Sequence, residues 1–206
     1  MKYPRARFLL DVLTWSRQYV DTKKYFKNSE LRQAFHTTLN NRTFNDVLEI
    51  GTFEGVFACF CAKHIARSVV AVDPFDSSEI STPVNKKNLE NFYSNLTKLR
   101  PNLRKKIAFF KMTSYDFFET NFLEFDFIYV DGSHEPEATI ADLECSMSRL
   151  KLGGVLWIDD YGSNYKDLKT KIDNWVNAHS SELLEIHRGY QLGFLKKNSF
   201  NNSFEF

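Results

Sequence analysis

Asp131, His134, Asp159 and Asp160 are the residues of this chain best equipped to do chemistry together. Asp131 closes the apolar run Phe127 to Val130, Asp159 and Asp160 close Val155 to Ile158, and a helix-length segment lies between the runs. Such runs read as neighbouring strands, and in open α/β sheets ligands bind beyond the strand ends. Three carboxylates gathered there suit a hard divalent cation, which prefers oxygen ligands. His134 stands three residues past Asp131, and an imidazole suits proton removal near neutral pH. Each residue also has a plainer reading. Asp131-Gly132 reads as a turn and Asp159-Asp160 as a solvated strand end. His134 reads as a cap on the helix beginning near Glu135, as a metal ligand, or as a group that only positions an acceptor.

A second constellation comes earlier. Glu49-Ile50-Gly51-Thr52-Phe53-Glu54-Gly55 joins a short apolar run to a helical one, with glycines four apart. A turn of this kind lets the backbone approach a ligand and presents the free amides of a helix N-terminus. Asp73 ends the next apolar run, 22 residues beyond Gly51, where a carboxylate can accept the two ribose hydroxyls of a nucleoside. The glycines could serve turn geometry alone and Asp73 could be a cap or turn former, yet their order and register together favour nucleoside binding. Phe53 and Glu54 stand where the dinucleotide fingerprint G-x-G-x-x-G has its later positions. A bulky ring and a carboxylate disfavour a pyrophosphate, so a ligand without phosphates fits better.

Alternating elements must position these residues. Strands are expected at 47–50, 68–72, 107–111, 127–130 and 155–158, with helices at 56–65, 85–99, 115–120, 136–150 and 166–178. Gly153 and Gly154 read as the turn that stops a helix and starts the fifth strand, and 183–187 with 191–195 as a terminal hairpin. The fold class is therefore α/β, a doubly wound, mostly parallel sheet closed by an antiparallel pair. Residues 1–44 form an N-terminal helical cap, 45–197 the main domain and 198–206 a frayed tail. The cap is expected to pack on the sheet or against a second copy in a homodimer rather than to act as a lid.

Twenty-seven basic against 26 acidic side chains leave a formal charge of +1, which offers no general attraction to nucleic acid or membrane. Cys59, Cys61 and Cys145 are odd in number and form no Cys-x-x-Cys pair, so they read as reduced core residues. No apolar stretch resembles a signal peptide or a membrane span, and a cytoplasmic location is expected.

VLEIGTFEG, VVAVDPF, FDFIYVDGSH and LKLGGVLWIDDY together resemble the class I S-adenosylmethionine-dependent methyltransferases over roughly residues 45–196. More narrowly, the chain is similar to the magnesium-using O-methyltransferases of small molecules, the catechol-type and macrolide-sugar enzymes. The resemblance implies a seven-stranded Rossmann-like sheet. It places Glu49, Gly51, Thr52 and Gly55 along the methionine and ribose of the cofactor, Asp73 on the ribose hydroxyls, and Ser114 near adenine, although Ser114 could equally cap the following helix. It makes Asp131, Asp159 and Asp160 the ligands of Mg2+ or another divalent cation, with Asp131 also bordering the cofactor. His134 stands where the catechol-type enzymes carry a lysine base, so it is the candidate base.

The expected function is O-methyl transfer to a small polyhydroxylated acceptor, a sugar or glycan by preference. Tyr161, Tyr165, Phe75 and the polar loop 76–83 are candidates for the acceptor wall. The alternatives are a nicotinamide-dependent oxidoreductase, which lacks its glycine fingerprint here, and a non-catalytic binding module that keeps the cofactor pocket.

Overall fold

The computed structural model describes residues 38–39, 42–75, 83–165 and 167–197, the side chains of 83–86 excepted. The N-terminal cap expected over residues 1–44 falls almost wholly outside the described residues, as do the loop 76–82 and the tail 198–206.

Seven strands form one sheet: β1 (Phe44–Ile50), β2 (Ala66–Val72), β3 (Ile107–Phe110), β4 (Phe125–Val130), β5 (Leu150–Ile158), β6 (Leu183–Arg188) and β7 (Leu192–Lys196). Their order is β3-β2-β1-β4-β5-β7-β6. The first five are parallel, and β7 runs antiparallel between β5 and β6. Among the described residues the helices that accompany them are α1 (Val56–His64), α2 (Pro83–Lys98), α3 (Pro101–Arg104), α4 (Ser114–Thr120), α5 (Pro136–Arg149) and α6 (Leu168–Ala178).

The central strands are apolar on both faces because helices cover both. Leu48, Ile50, Val70, Val72, Ile128, Val130, Leu156 and Ile158 face a core completed by Phe117, Leu143, Ile172 and Trp175 from α4, α5 and α6. Their sequence neighbours Val47, Val69, Ala71, Phe127, Tyr129, Val155 and Trp157 face the opposite core, against Phe57, Ala58 and Cys61 of α1. Strict alternation sends each strand's even and odd residues to different faces, a parity that continues into the residues just beyond the strands.

Two expectations change. Strand β5 starts at Leu150, where α5 ends, so Gly153 and Gly154 lie inside the strand rather than before it. Gly153 has φ +73°, and a Cβ at Gly154 would lie 2.7 Å from the Lys151 carbonyl, so the pair makes a bulge at the register shift opposite Phe125 and Phe127. The second change is α3, a single turn led by Pro101, which the weak periodicity of four residues did not signal.

Candidate active site

The glycine turn after β1, the end of β2 and the ends of β4 and β5 open into one cleft of about 860 Å³. Gly51 and Asp73 border it together with Asp131, His134 and Asp160, so the two constellations of the sequence share one space. Adjacent parallel register explains this, since Ile50 pairs with both Val72 and Val130, and Val130 pairs with Ile158.

Gly51 has a structural reason to be glycine. Its φ is +82° and a Cβ would sit 1.9 Å from the carbonyl oxygen of Asp131, so the β1 turn and the β4 end can approach only without a side chain. Gly55, at φ +71°, precedes α1, where a Cβ would enter the ring of Phe92. Between them, Thr52 donates its hydroxyl to the Glu49 carboxyl. Glu49 is completely buried at the floor of the cleft, and burial pushes its carboxyl up from 4.5 to about 8. Glu54 also borders the cleft, with Oε1 accepting from Asn91 Nδ2 at 2.5 Å.

Asp73 holds the loops on either side of it. Its Oδ2 accepts from the Phe53 amide and its Oδ1 from the Phe75 amide, each at 2.8 Å. Burial raises its carboxyl and these amides oppose the rise. Each carboxylate oxygen has two acceptor directions, so both can still receive a ribose hydroxyl. Ser114 also lines the cleft, but the cap of α4 is Thr113, whose hydroxyl accepts from the Asp116 amide at 3.1 Å.

At the β5 end the two neighbouring aspartates part. Asp160, at φ +55°, turns into the cleft, where Oδ2 lies 2.6 Å from His134 Nε2 and Oδ1 accepts from the Tyr190 hydroxyl. The His134 ring stacks on Tyr165, with centroids 4.1 Å apart. Asp159 follows the parity of Tyr129 and Trp157 and is 4% exposed. Its Oδ2 accepts from Tyr129 at 2.5 Å, and its Oδ1 from Gln191 at 3.0 Å and from the Asp160 amide at 2.8 Å. Asp159 does not border the cleft. Among the described residues the group whose donor atoms come within 4.8 Å of one another is Asp131, His134 and Asp160, so the structure unites two of the three expected ligands and adds the imidazole.

The remaining candidates divide. Tyr165 borders the cleft, whereas Tyr161 is buried with its hydroxyl 2.7 Å from Asp173, and Phe75 packs on Phe92 and Phe109. Cys59 and Cys61 are buried and free, and burial pushes Cys59 to about 12, as suits core thiols. Tyr190 and Gln191 were not picked out from sequence. They sit in the β6–β7 turn, and only the antiparallel placement of β7 beside β5 brings them to the site. Asp142, on α5, also borders the cleft.

A seven-stranded sheet of this order, with an antiparallel β7 and a cleft over the glycine turn, is the architecture of the class I S-adenosylmethionine-dependent methyltransferases. Residues 48–161, more than half of the chain, match the methyltransferase domain family, and the chain belongs to it. No curated protein matches the sequence. Among solved structures, an rRNA methylase from Streptococcus thermophilus is similar at TM-score 0.62 and 14% identity, covering 83% of this chain and 99% of that one. The O-methyltransferase TomG from Streptomyces achromogenes, involved in tomaymycin synthesis and solved with SAM, gives 0.59 and 13%, covering 96% and 100%. An O-methyltransferase from Bacillus cereus in complex with SAH gives 0.55 and 16%, covering 92% and 88%. Identities this low speak for the fold. The family match leaves the nicotinamide reading without support. Among the described residues no helix is long and apolar enough to cross a membrane.

Proposed function

We propose that the protein transfers a methyl group from S-adenosylmethionine to a hydroxyl of a small polyhydroxylated acceptor, a sugar or glycan, with His134 as the base. The observation carrying this reading is the 2.6 Å contact between His134 Nε2 and Asp160 Oδ2, in the cleft that also holds Asp73. With Nε2–H donating to Asp160, the lone pair is on Nδ1, and the carboxylate stabilises the imidazolium that forms. The acceptor oxygen attacks the methyl carbon and the carbon–sulfur bond breaks with its electron pair going to sulfur. The acceptor proton passes to Nδ1, leaving a methyl ether and S-adenosylhomocysteine. Holding the two reactants in line supplies much of the rate.

Asp131 and Asp160 fit a divalent cation, since their oxygens belong to one compact group, whereas Asp159 is fully engaged by Tyr129 and Gln191. A cation bound there favours the deprotonated form of a coordinated hydroxyl. A second cavity of about 520 Å³ lies across the His134–Tyr165 stack, bordered by Glu137, Thr170, Lys171 and Asn174. Hydrogen-bonding groups of both kinds beside an aromatic face suit the body of a carbohydrate. A small acceptor without nucleic acid or membrane is also the reading that a charge of +1 supports.

The test is transfer of labelled methyl from S-adenosylmethionine to a panel of glycosides and catechols, with and without EDTA. Transfer to a glycoside that falls on adding EDTA is expected. Transfer unchanged by EDTA removes the cation from the account but leaves the enzyme. S-Adenosylhomocysteine binding without transfer to any hydroxyl would instead make the protein a cofactor-binding scaffold.

A further inference from the structure

Resting on the base assignment above, we propose that Tyr190 is a positioning residue: by holding the Asp160 carboxylate it fixes the proton of His134 on Nε2 and leaves the Nδ1 lone pair for the acceptor proton. The stack on Tyr165 sets the plane of the imidazole but does not decide which nitrogen carries hydrogen. That choice belongs to the group at the edge of the ring, and an ionised carboxylate, which can only accept, selects an N–H. Asp160 does so only while one of its oxygens stays on Nε2, and the torsion that turns a carboxylate about its own bond is broad. The Tyr190 hydroxyl, donating to Oδ1, removes that freedom and keeps Oδ2 at 2.6 Å from Nε2.

Tyr190 is itself well held. The Gly162 amide donates to its carbonyl at 2.8 Å, and a Cβ at position 162 would lie 2.8 Å from its Cα, so the two segments meet only through glycine. Beside it Gln191 is fully buried, donating to Asp159 Oδ1 at 3.0 Å and to the Tyr129 hydroxyl at 3.1 Å while accepting from Trp157 Nε1 at 3.0 Å. Leu192 pairs with Ile158, which sets this register. Adjacent residues of one turn therefore hold adjacent aspartates of one strand end, Gln191 the buried Asp159 and Tyr190 the cleft-facing Asp160. A contact seated on paired strands keeps its geometry better than one carried by a loop.

Tyr190→Phe removes the hydroxyl and keeps the ring. The carboxylate is then free to turn, the imidazole divides between its two tautomers, and molecules with the proton on Nδ1 cannot accept another there. The expected loss is in kcat, by about 10- to 100-fold, the worth of one hydrogen bond to a charged group. Acceptor KM and S-adenosylhomocysteine affinity should stay near their original values. Tyr190 also borders the cleft, so the competing role is a direct contact with the acceptor, which would show in KM and not in the tautomer.

Nitrogen NMR of the imidazole rings tests the assignment, with EDTA present and at a pH where the ring signals no longer move. His134→Gln identifies the His134 signals by their loss. The unsubstituted protein should carry the His134 proton on Nε2, and Tyr190→Phe should show a mixture of tautomers together with the loss in kcat. In an Asp160→Asn background the same substitution should lower kcat no further, because it acts through Asp160. A proton on Nδ1 in the unsubstituted protein, an unchanged tautomer in Tyr190→Phe, or a raised acceptor KM with kcat intact overturns the role of Tyr190 and leaves the transferase reading standing. Absence of transfer to any hydroxyl by the unsubstituted protein overturns that reading instead, and the tautomer in Tyr190→Phe then still decides whether Tyr190 holds the pair.

Discussion

Replacing Glu49 by glutamine should flatten the dependence of stability on pH. Glu49 is completely buried, and burial lifts its carboxyl from 4.5 to about 8. That rise corresponds to roughly 5 kcal/mol favouring the protonated form in the folded protein, at about 1.36 kcal/mol per pH unit. Because the folded value lies above the unfolded one, the folded state holds the extra proton between these two pH values, and stability declines as pH rises through that window. Below about 4.5 both states are protonated and Glu49 contributes nothing; above about 8 the full cost is present. Between pH 5 and 7 the unsubstituted protein should lose about 2–3 kcal/mol relative to Glu49→Gln, which keeps the Thr52 contact but has no proton to lose. Urea unfolding of both proteins across that range measures the difference, which includes the share that the Asp73 charge adds to the rise of the Glu49 carboxyl. A cationic cofactor beside Glu49 favours its ionised form, so binding at pH 7 should release a proton, seen as a calorimetric heat that varies with the buffer. Parallel pH profiles for the two proteins would refute the reasoning.

Further substitutions separate roles within the site. His134→Ala should lower methyl transfer by about 10²-fold or more while leaving S-adenosylhomocysteine affinity near its original value, because a base touches the acceptor rather than the cofactor. Asp159→Asn sets an amide donor against the Tyr129 and Gln191 donors and should cost about 1–3 kcal/mol of stability, yet leave calorimetric Mn2+ affinity unchanged where Asp131→Asn reduces it. A fall in Mn2+ affinity in Asp159→Asn would return that residue to the ligand set. Gly51→Ala puts a Cβ 1.9 Å from the Asp131 oxygen at φ +82° and should destabilise by on the order of 3 kcal/mol or more; unchanged urea unfolding would contradict that packing.

The order of strands and helices was legible because buried parallel strands and their crossover helices have different apolar periods, and each of the five parallel strands overlaps its expected run, although β5 begins five residues earlier, at Leu150. Asp73 and Asp131 could be placed together for the same reason, since both end runs that register beside β1. The division between Asp159 and Asp160 was not legible. A sequence shows two adjacent carboxylates, whereas strand parity and the left-handed conformation at Asp160 send them to different sides. Tyr190 and Gln191 were hidden because an antiparallel pairing across 30 or more residues brings them to the site.

The account depends most on where the cofactor lies, and a crystal structure with S-adenosylhomocysteine bound tests it most directly. It predicts the ribose hydroxyls on the Asp73 carboxylate, and the sulfur over the Gly51 turn facing the His134–Asp160 pair. Density that runs the other way, with the base against His134 or the ribose away from Asp73, would contradict it.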